Sequence, residues 1–400
     1  MLIGHKLQVP HSLCRPKAHK VEAVLNIPAT RLSQFPLLPT LRPMRNELAN
    51  AKRIVVKLGT AVLTDERKQP DLAQMGQLVR QLAAQRRAGK EVVIVTSGAV
   101  GAGMGVLGFD KRPESLAEQQ ACAAVGQSRL MATYEKLFSE YQLHVAQVLV
   151  THADLQHQER HRNARNTLTT LLRRGIIPII NENDAVSTTE LKFGDNDKLS
   201  ALVAALLPAD LLIILTSVDG VMENFGAPDA HRISEIPEID KRIEDMAGGT
   251  TSATAVGGMK SKITAAKIVV RSGVPLVIAP GQSTTIMEEI VRGDDVGTLF
   301  HPKTSKLRGR KRWIAFFHHP HGTLIVDDGA KHALIENGKS LLPPGVTRCE
   351  GQFEANEIVS ICDLSGAEFA RGLAAYSSAD ICERKIAGGE IVHRDDLVIL

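Results

Sequence analysis

Two clusters of short acids and amides stand close together in the chain. The first is residues 181–184 (NEND) and the second is residues 194–198 (GDNDK). Asn and Asp are unfavourable inside strands and helices. An apolar run, residues 176–180, precedes the first cluster as a strand would, and residues 198–207 follow the second with a helical pattern. The clusters indicate a polar pocket at the carboxyl end of a strand, where open α/β sheets bind ligands, and it would suit a small charged molecule.

Taken alone, such clusters are equally typical of turns, because Asn, Asp and Gly bond their own backbone. A lysine and two glycine-rich segments favour the pocket. Lys57 lies in an apolar strand that continues to Gly59, residues 95–103 (VTSGAVGAG) end another strand in small residues, and residues 257–262 (GGMKSK) open a helix. Phosphoryl transfer needs positive charge and backbone N–H groups around the transferring oxygens, which lysines and helix N-termini supply.

Several motifs occur in a characteristic order: VVKLGT, VTSGAVGAG, AAVGQSRL, NENDAV, FGDNDKLSA and GGMKSK. In that order they resemble the amino acid kinase family, and within it the bacterial enzymes that phosphorylate glutamate. Beyond residue 310, the motifs RKRWI, SLLPPGV and VHRDD are similar to the C-terminal PUA domain that many of those enzymes carry. The first fifty residues lie outside the resemblance.

The resemblance implies an activity. ATP would phosphorylate the γ-carboxylate of L-glutamate to γ-glutamyl phosphate, the first step of proline biosynthesis, with Mg²⁺ accompanying the nucleotide. It also implies catalytic roles for three residues: Lys57 and Lys262 would contact the ATP phosphates, and Asp197 would orient both lysines, a role that requires a carboxylate between two cations. No general base is needed, because the attacking carboxylate is ionised at pH 7. No metal ligand is assigned to the protein.

For the substrate, the resemblance places glutamate against Ser97, Asp184 and Asn196. Asp184 and Asn196 suit an α-ammonium group, and the turn at Ser97 suits a carboxylate. The residues that the resemblance assigns to ATP are Lys57, Thr216, Ser217, Val256, Gly257, Gly258, Met259, Lys260, Ser261 and Lys262. Two of these depart from the family pattern: Ser217 stands where aspartate is common and Val256 where threonine is common. Both changes remove a polar contact to the nucleotide.

The alternation of apolar strands and amphipathic helices predicts an α/β fold with a mainly parallel sheet sandwiched by helices. The expected strands are 54–57, 92–95, 144–150, 176–180, 211–215 and 275–278. The expected helices are one capped by Asp71 and ended by Gly89, then 116–138, 159–174, 198–207 and 261–272. Short strands at 323–326, 357–361 and 397–400 indicate a second, small β-barrel-like domain.

Four segments follow from this organisation. Residues 1–50, rich in proline and poor in acids, are expected to be a disordered or mis-assigned N-terminal extension. Residues 51–302 form the kinase domain. Residues 303–312, with six basic and almost no apolar side chains, are expected to be a basic linker that joins two separate cores. Residues 313–400 form the PUA domain.

Composition constrains the partners. Lys and Arg total 48 against 44 Asp and Glu, a net charge of +4, so no overall field draws nucleic acid. The five cysteines are odd in number and none are spaced C-x-x-C, which fits a reducing cytoplasm. No apolar run approaches the ~20 residues that span a bilayer. We expect a homo-oligomer and a downstream γ-glutamyl phosphate reductase as partner.

Two other functions stay open. A related amino acid kinase could act on another acid, such as N-acetylglutamate. Alternatively, the chain could be an RNA-binding PUA protein that uses the basic residues 303–312. The lysine and acid motifs favour the glutamate enzyme over both.

Overall fold

The structure is a computed structural model that describes residues 44–65, 70–187, 196–248, 258–303, 309–317, 320–383, 386 and 388–400. Its strands are β1 (Arg53–Leu58), β2 (Glu91–Thr96), β3 (Val145–Val150), β4 (Ile177–Glu182), β5 (Leu211–Thr216), β6 (Met222–Glu223), β7 (His231–Arg232), β8 (Glu235–Ile236), β9 (Leu276–Pro280), β10 (Thr298–Phe300), β11 (Gly322–Val326), β12 (Val346–Gly351), β13 (Ile358–Cys362), β14 (Glu368–Leu373) and β15 (Leu397–Ile399). Its α-helices are α1 (Met44–Glu47), α2 (Thr60–Leu63), α3 (Leu72–Arg87), α4 (Ala99–Met104), α5 (Leu116–Ser139), α6 (His152–Gln156), α7 (Gln158–Arg173), α8 (Asn196–Leu206), α9 (Lys241–Gly248), α10 (Met259–Arg271), α11 (Ile286–Arg292), α12 (Gly309–Phe316), α13 (Asp328–Ile335) and α14 (Ser378–Cys382).

An eight-stranded sheet forms the centre of the larger domain, in the order β3-β4-β2-β1-β5-β9-β10-β8. The strands pair in parallel except β10, which runs antiparallel to β9. The middle strands β1 and β5 are largely apolar and buried on both faces, as expected for a parallel sheet covered by helices on each side. The α/β prediction is confirmed.

The predicted elements are found close to their expected bounds. Asp71 caps α3 as expected, because its carboxylate accepts a hydrogen bond from the Gln74 amide at 3.0 Å. Met75, Val79 and Leu82 are buried on the inner face of α3, whereas Leu72 in its first turn is 60% exposed. Short helix α4 was missed, since its sequence of small residues (AVGAGM) carries no helical period.

The C-terminal part of the chain contains a separate five-stranded sheet in the order β12-β11-β13-β14-β15. Its own core is built by apolar side chains such as Leu324, Val359 and Ile361. The three strands expected from the sequence in this region correspond to β11, β13 and β15. None of the helices in the described parts of the chain is long and apolar enough to cross a membrane.

The prediction that residues 1–50 form a disordered or mis-assigned extension is wrong for residues 44–50. They form α1 and a 3₁₀ turn (Leu48–Asn50), with Leu48 buried. Arg45 is 5% exposed and donates hydrogen bonds to the carbonyls of Ser234, Asp294 and Gly297 at 2.7–3.0 Å. One side chain thus ties this segment to the β8–β10 edge, a contact that composition does not reveal. Residues 1–43 lie outside the described residues.

The predicted division at 303–312 and 313 also needs correction, because α12 runs across it. Residues 304–308 lie outside the described residues. Within α12, Arg312 is only 8% exposed, although the run was predicted to be a basic linker. The small domain keeps its own core, but Trp313 and Ile314 of α12 and Val398 of β15 belong to the apolar cluster of the larger domain. Trp313 is 8% exposed and so lies in the core.

Candidate active site

Polar side chains meet where four neighbouring strands of the sheet end. The order β4-β2-β1-β5 places the carboxyl ends of these parallel strands side by side, and the first turns of α4, α8 and α10 face them. Helix α8 begins at Asn196 and Asp197, and α10 begins after Gly258. The positive ends of helix dipoles favour negative charge at such a place. The arrangement is the one that the sequence predicted for the pocket.

Three ionised side chains form the charged half of the site: Lys57, Asp197 and Lys262. The Nζ of Lys57 lies 2.6 Å from Asp197 Oδ1, and the Nζ of Lys262 lies 3.1 Å from Asp197 Oδ2. The exposed fractions of these residues are 6%, 1% and 5%. Burial alone would raise the pKa of Asp197, but the two ammonium groups outweigh burial and hold its pKa below its ordinary value.

Gly59 leaves the space that Lys57 uses. A Cβ atom at residue 59 would lie 3.3 Å from Lys57 Nζ and 3.5 Å from the Leu215 carbonyl oxygen. Any larger side chain would therefore press on the lysine end. This gives a physical reason for the Lys-x-Gly spacing that the sequence analysis singled out.

A chain of amides forms the neutral half. The Nδ2 of Asn196 donates to the Ser97 Oγ at 2.8 Å and to Asn181 Oδ1 at 3.0 Å. The Nδ2 of Asn181 donates to Gln127 Oε1 at 2.9 Å, and Gln127 Nε2 donates to Gln147 Oε1 at 3.2 Å. All but Gln147 are buried. The network joins α8, β2, β4, α5 and β3, so the position of each amide depends on the others.

Asp184 and Gln127 line a cleft of about 150 Å³, together with Ala99, Gln147 and Glu182. Helices α4 and α5 form one wall and cross with their backbones in contact. A Cβ atom on Gly126 would lie 1.8 Å from the Ala99 carbonyl oxygen, so only glycine permits the approach. The cleft is large enough for a small amino acid, and it has two carboxylates and several amides to meet charged ends.

The nucleotide-side candidates are only partly described. Val256 and Gly257 lie outside the described residues. Thr216 ends β5 and is half-buried, whereas Ser217 is exposed. Gly258 and Met259 are half-buried at the start of α10, and Ser261 Oγ donates to Asp197 Oδ2 at 3.2 Å.

Lys260 and Lys262 differ although they are two residues apart on α10. Lys260 is exposed, whereas Lys262 is buried against Asp197. The structure therefore brings Lys57, Asp197 and Lys262 into one contact, as expected, and Ser97 with Asn196 into another. Asp184 lies on the cleft beside the second group. The roles in substrate binding stay predictions.

No individual role was predicted for Asn181, Gln127 or Gln147 from the sequence. A signal for Gln127 existed, because it lies at helical spacing between the buried Ala123 and Leu130 and so places an amide on an apolar stripe. Asn181 is the first residue of the NEND cluster, at the end of a buried strand. A buried amide must find partners, so both positions indicated a polar network.

In the described ranges, no group of three or more His, Cys, Asp and Glu side chains is placed to hold a metal ion. Of the three histidines at positions 318, 319 and 321, only His321 lies in the described residues, and it contacts Glu357.

Comparison with known proteins identifies both parts of the chain. Residues 52–280 match the model of the amino acid kinase family, and residues 322–393 match the PUA domain model. A glutamate 5-kinase of Moorella thermoacetica is 46% identical over 376 residues, covering 90% of this chain and 100% of that protein. Glutamate 5-kinases of Pelobacter propionicus and of Geobacter sp. strain M21 are 44% and 45% identical, each covering 89% of this chain and 100% of the relative.

Among solved structures, carbamate kinase from Giardia lamblia bound to AMP-PNP covers 64% of this chain and 100% of its own. Its TM-score is 0.46 at 18% sequence identity. This likeness is too weak to carry a conclusion about the site.

Proposed function

The chain belongs to the amino acid kinase family, in its glutamate 5-kinase branch, and we propose that it transfers the γ-phosphoryl group of ATP to the γ-carboxylate of L-glutamate. The products are γ-glutamyl phosphate and ADP. This is the first step of proline biosynthesis, and the labile acyl phosphate calls for a reductase that consumes it. We further propose that the enzyme is cytoplasmic and homo-oligomeric.

One observation carries the proposal: a buried group of two lysines and one aspartate at the carboxyl ends of the strands. Two ammonium groups held at fixed positions by one carboxylate are suited to contact the anionic phosphates of ATP. The amides at the start of α10 lie on the same side and would add hydrogen bonds to the phosphates.

In the proposed reaction, a γ-carboxylate oxygen of glutamate forms a bond to the γ-phosphorus while the bond from that phosphorus to the β–γ bridging oxygen breaks. The electron pair of the broken bond leaves with ADP. The acceptor is already ionised at pH 7, so no proton has to be removed. Lys57 and Lys262 neutralise charge on the phosphoryl oxygens, and Asp197 fixes both ammonium groups in position.

On the acceptor side, Asp184 and Asn196 are proposed to bind the α-ammonium group of glutamate, and the turn at Ser97 to hold its carboxylate end. An acetylated nitrogen carries no charge and more bulk. Asp184 therefore favours glutamate over N-acetylglutamate, the main alternative. The buried contact of Lys57, Asp197 and Lys262 supports a kinase reaction rather than the RNA-binding alternative.

Mg²⁺ enters the proposal only as a companion of ATP. Asp197, the nearest buried carboxylate, already meets two lysines at 2.6 and 3.1 Å, so these residues do not fit a metal held by protein carboxylates. Mg²⁺ commonly binds through substrate phosphates instead. No step of the reaction above depends on a metal ligand from the chain.

The test is hydroxylamine trapping. The protein is incubated with ATP, Mg²⁺ and hydroxylamine, and either L-glutamate, N-acetyl-L-glutamate or no acceptor. We expect γ-glutamyl hydroxamate and ADP in equal amounts with L-glutamate only. Lys262→Met should lower the rate of product formation about a hundredfold, whereas Lys267→Met, on the same helix but paired with Glu244, should leave it unchanged. ADP release without an acceptor, or preference for N-acetylglutamate, would refute the proposal.

A further inference from the structure

Helix α8 connects the site to the small domain. Its first two residues, Asn196 and Asp197, belong to the two halves of the site. Apart from Lys198, every residue of α8 is buried. A helix of this length spans about 16 Å. Because the surroundings are close-packed, a displacement of one end is carried to the other rather than absorbed between them.

The far end of α8 is held by two arginines. Arg312 of α12 donates from Nη1 to the carbonyl oxygen of Ala205 at 2.6 Å, and Arg53 of β1 donates from Nη1 to that of Leu207. The last carbonyls of a helix have no partner within the helix, and its negative dipole end favours cations. Burial, and then the charge of Arg165, lower the pKa of Arg312. A buried guanidinium at this place is therefore a specific contact and not a solvated surface charge.

Helix α12 is itself held by the small domain. Arg371 of β14 donates from Nη1 to the carbonyl oxygen of Ala315 at 3.0 Å, near the C-terminal end of α12. Apolar side chains of α12 and β15 share one cluster with the larger domain. Two successive arginine contacts at helix ends thus lead from β14 to α12 and from α12 to α8.

We propose that Arg312 is a positioning residue for phosphoryl transfer: it fixes the C-terminal end of α8 and through that helix sets the positions of Asn196 and Asp197. The inference rests on the proposed function. It makes the small domain part of the support of the active site, through Arg371 and α12. A shift of about 1 Å at reacting groups can cost up to about a hundredfold in rate.

The experiment compares Arg312→Met, which keeps the length of the side chain, with Arg312→Lys, which keeps the charge. We expect Arg312→Met to lower kcat about tenfold while the KM for ATP stays within twofold, and Arg312→Lys to recover most of kcat. The matched control is Lys311→Met. Lys311 is the neighbouring residue on α12, but it donates to the Arg394 carbonyl oxygen and not to α8. The kcat of Lys311→Met should stay within twofold of that of the unaltered protein.

A double-mutant cycle separates positioning from general damage. In the Asp197→Asn background, Arg312→Met should change the residual kcat less than twofold, because the group it positions is already altered. A full tenfold loss in that background, or a kcat of Arg312→Met within twofold of the unaltered protein, would overturn the inference. If Arg312→Met does not fold, Arg371→Met takes its place in the cycle with an expected threefold loss.

Hydrogen exchange tests the coupling between Arg312 and the start of α8 independently of catalysis. Amides in the first turns of α8 should exchange about tenfold faster in Arg312→Met than in Lys311→Met, measured by mass spectrometry without substrates. Unchanged exchange there would overturn the coupling even if kcat falls. If the unaltered protein forms no hydroxamate, the proposed function fails, and the exchange result alone still decides whether Arg312 positions the start of α8.

Discussion

The charged half and the amide half of the site meet at neighbouring residues, Asn196 and Asp197, yet they are held together differently. In the charged half, Asp197 neutralises two buried lysines, so a change of charge matters more than a small change of position. In the amide half, Asn196 belongs to a neutral chain in which each hydrogen bond contributes about 1 kcal/mol and depends on geometry. The first half is therefore built to stabilise charge and the second to define a shape, and variants of each should affect different kinetic constants.

The largest effect is expected for Asp197→Asn. Removing the carboxylate leaves two buried ammonium groups facing each other, which should destabilise the fold by about 3 kcal/mol. The kcat should fall about a thousandfold, because both lysines lose their fixed position. Urea unfolding and steady-state kinetics measure these effects. Asp294→Asn, whose partner Arg292 is exposed, is the control. Equal stability of the two variants would contradict the assignment.

The effect of Asp197→Asn on the free energy of unfolding should also depend on pH. The pKa of Asp197 is lower in the folded protein than its ordinary value of about 3.9, so its ionised form stabilises the fold above that pH. The stability it contributes is lost as the pH falls below about 3.9 towards the folded pKa. The difference in unfolding free energy between the unaltered protein and Asp197→Asn should thus be constant from pH 5 to 7 and shrink in acid. Urea titrations at each pH measure it, and a difference that grows in acid would reverse the sign.

Next come the lysines. Lys57→Met and Lys262→Met should each lower kcat about a hundredfold, about 3 kcal/mol, with a smaller effect on the KM for glutamate. The charge is needed most in the transition state. Loss of glutamate affinity alone, or less than a tenfold fall in kcat for both variants, would remove the lysines from the reaction.

Asp184→Ala should act on the other half. We expect the KM for glutamate to rise at least tenfold while that for ATP stays within twofold, because the α-ammonium group loses a charge-assisted hydrogen bond. Asp184→Asn should recover little, since the amide keeps the shape but not the charge. Equal increases in both KM values would place Asp184 away from the acceptor.

The smallest effect is expected for Gln127→Ala. The loss of two neutral hydrogen bonds should lower kcat/KM for glutamate about fivefold and leave the KM for ATP unchanged. Gln119 lies on the same helix, but its side chain donates to the Pro113 carbonyl oxygen. Gln119→Ala should therefore leave both kcat/KM for glutamate and the KM for ATP unchanged. A hundredfold loss for Gln127→Ala would show that the amide half also stabilises the transition state.

The sequence predicted the parts of the molecule that follow from local pattern. The apolar strands and the cap at Asp71 are of this kind. The family resemblance predicted that Lys57, Asp197 and Lys262 act at one site. Contacts between distant segments were not predictable. Arg45 and Arg312 are buried because carbonyls more than a hundred residues away accept from them, and no neighbour in the sequence indicates this. Both lie in basic stretches that resemble solvated segments, which is why an extension and a linker were expected there.

The central position of β1 has a consequence for synthesis on the ribosome. One edge of β1 pairs with β2, which is synthesised soon after it. The other edge has no partner strand until β5 is synthesised. Lys52, just before β1, donates from its amide to Asp210, just before β5, and the two are 158 residues apart. At about 5–20 residues per second, on the order of ten seconds pass while an apolar strand has an open edge. The nascent chain therefore carries its aggregation-prone strand early and completes its active site only after Lys262 has emerged.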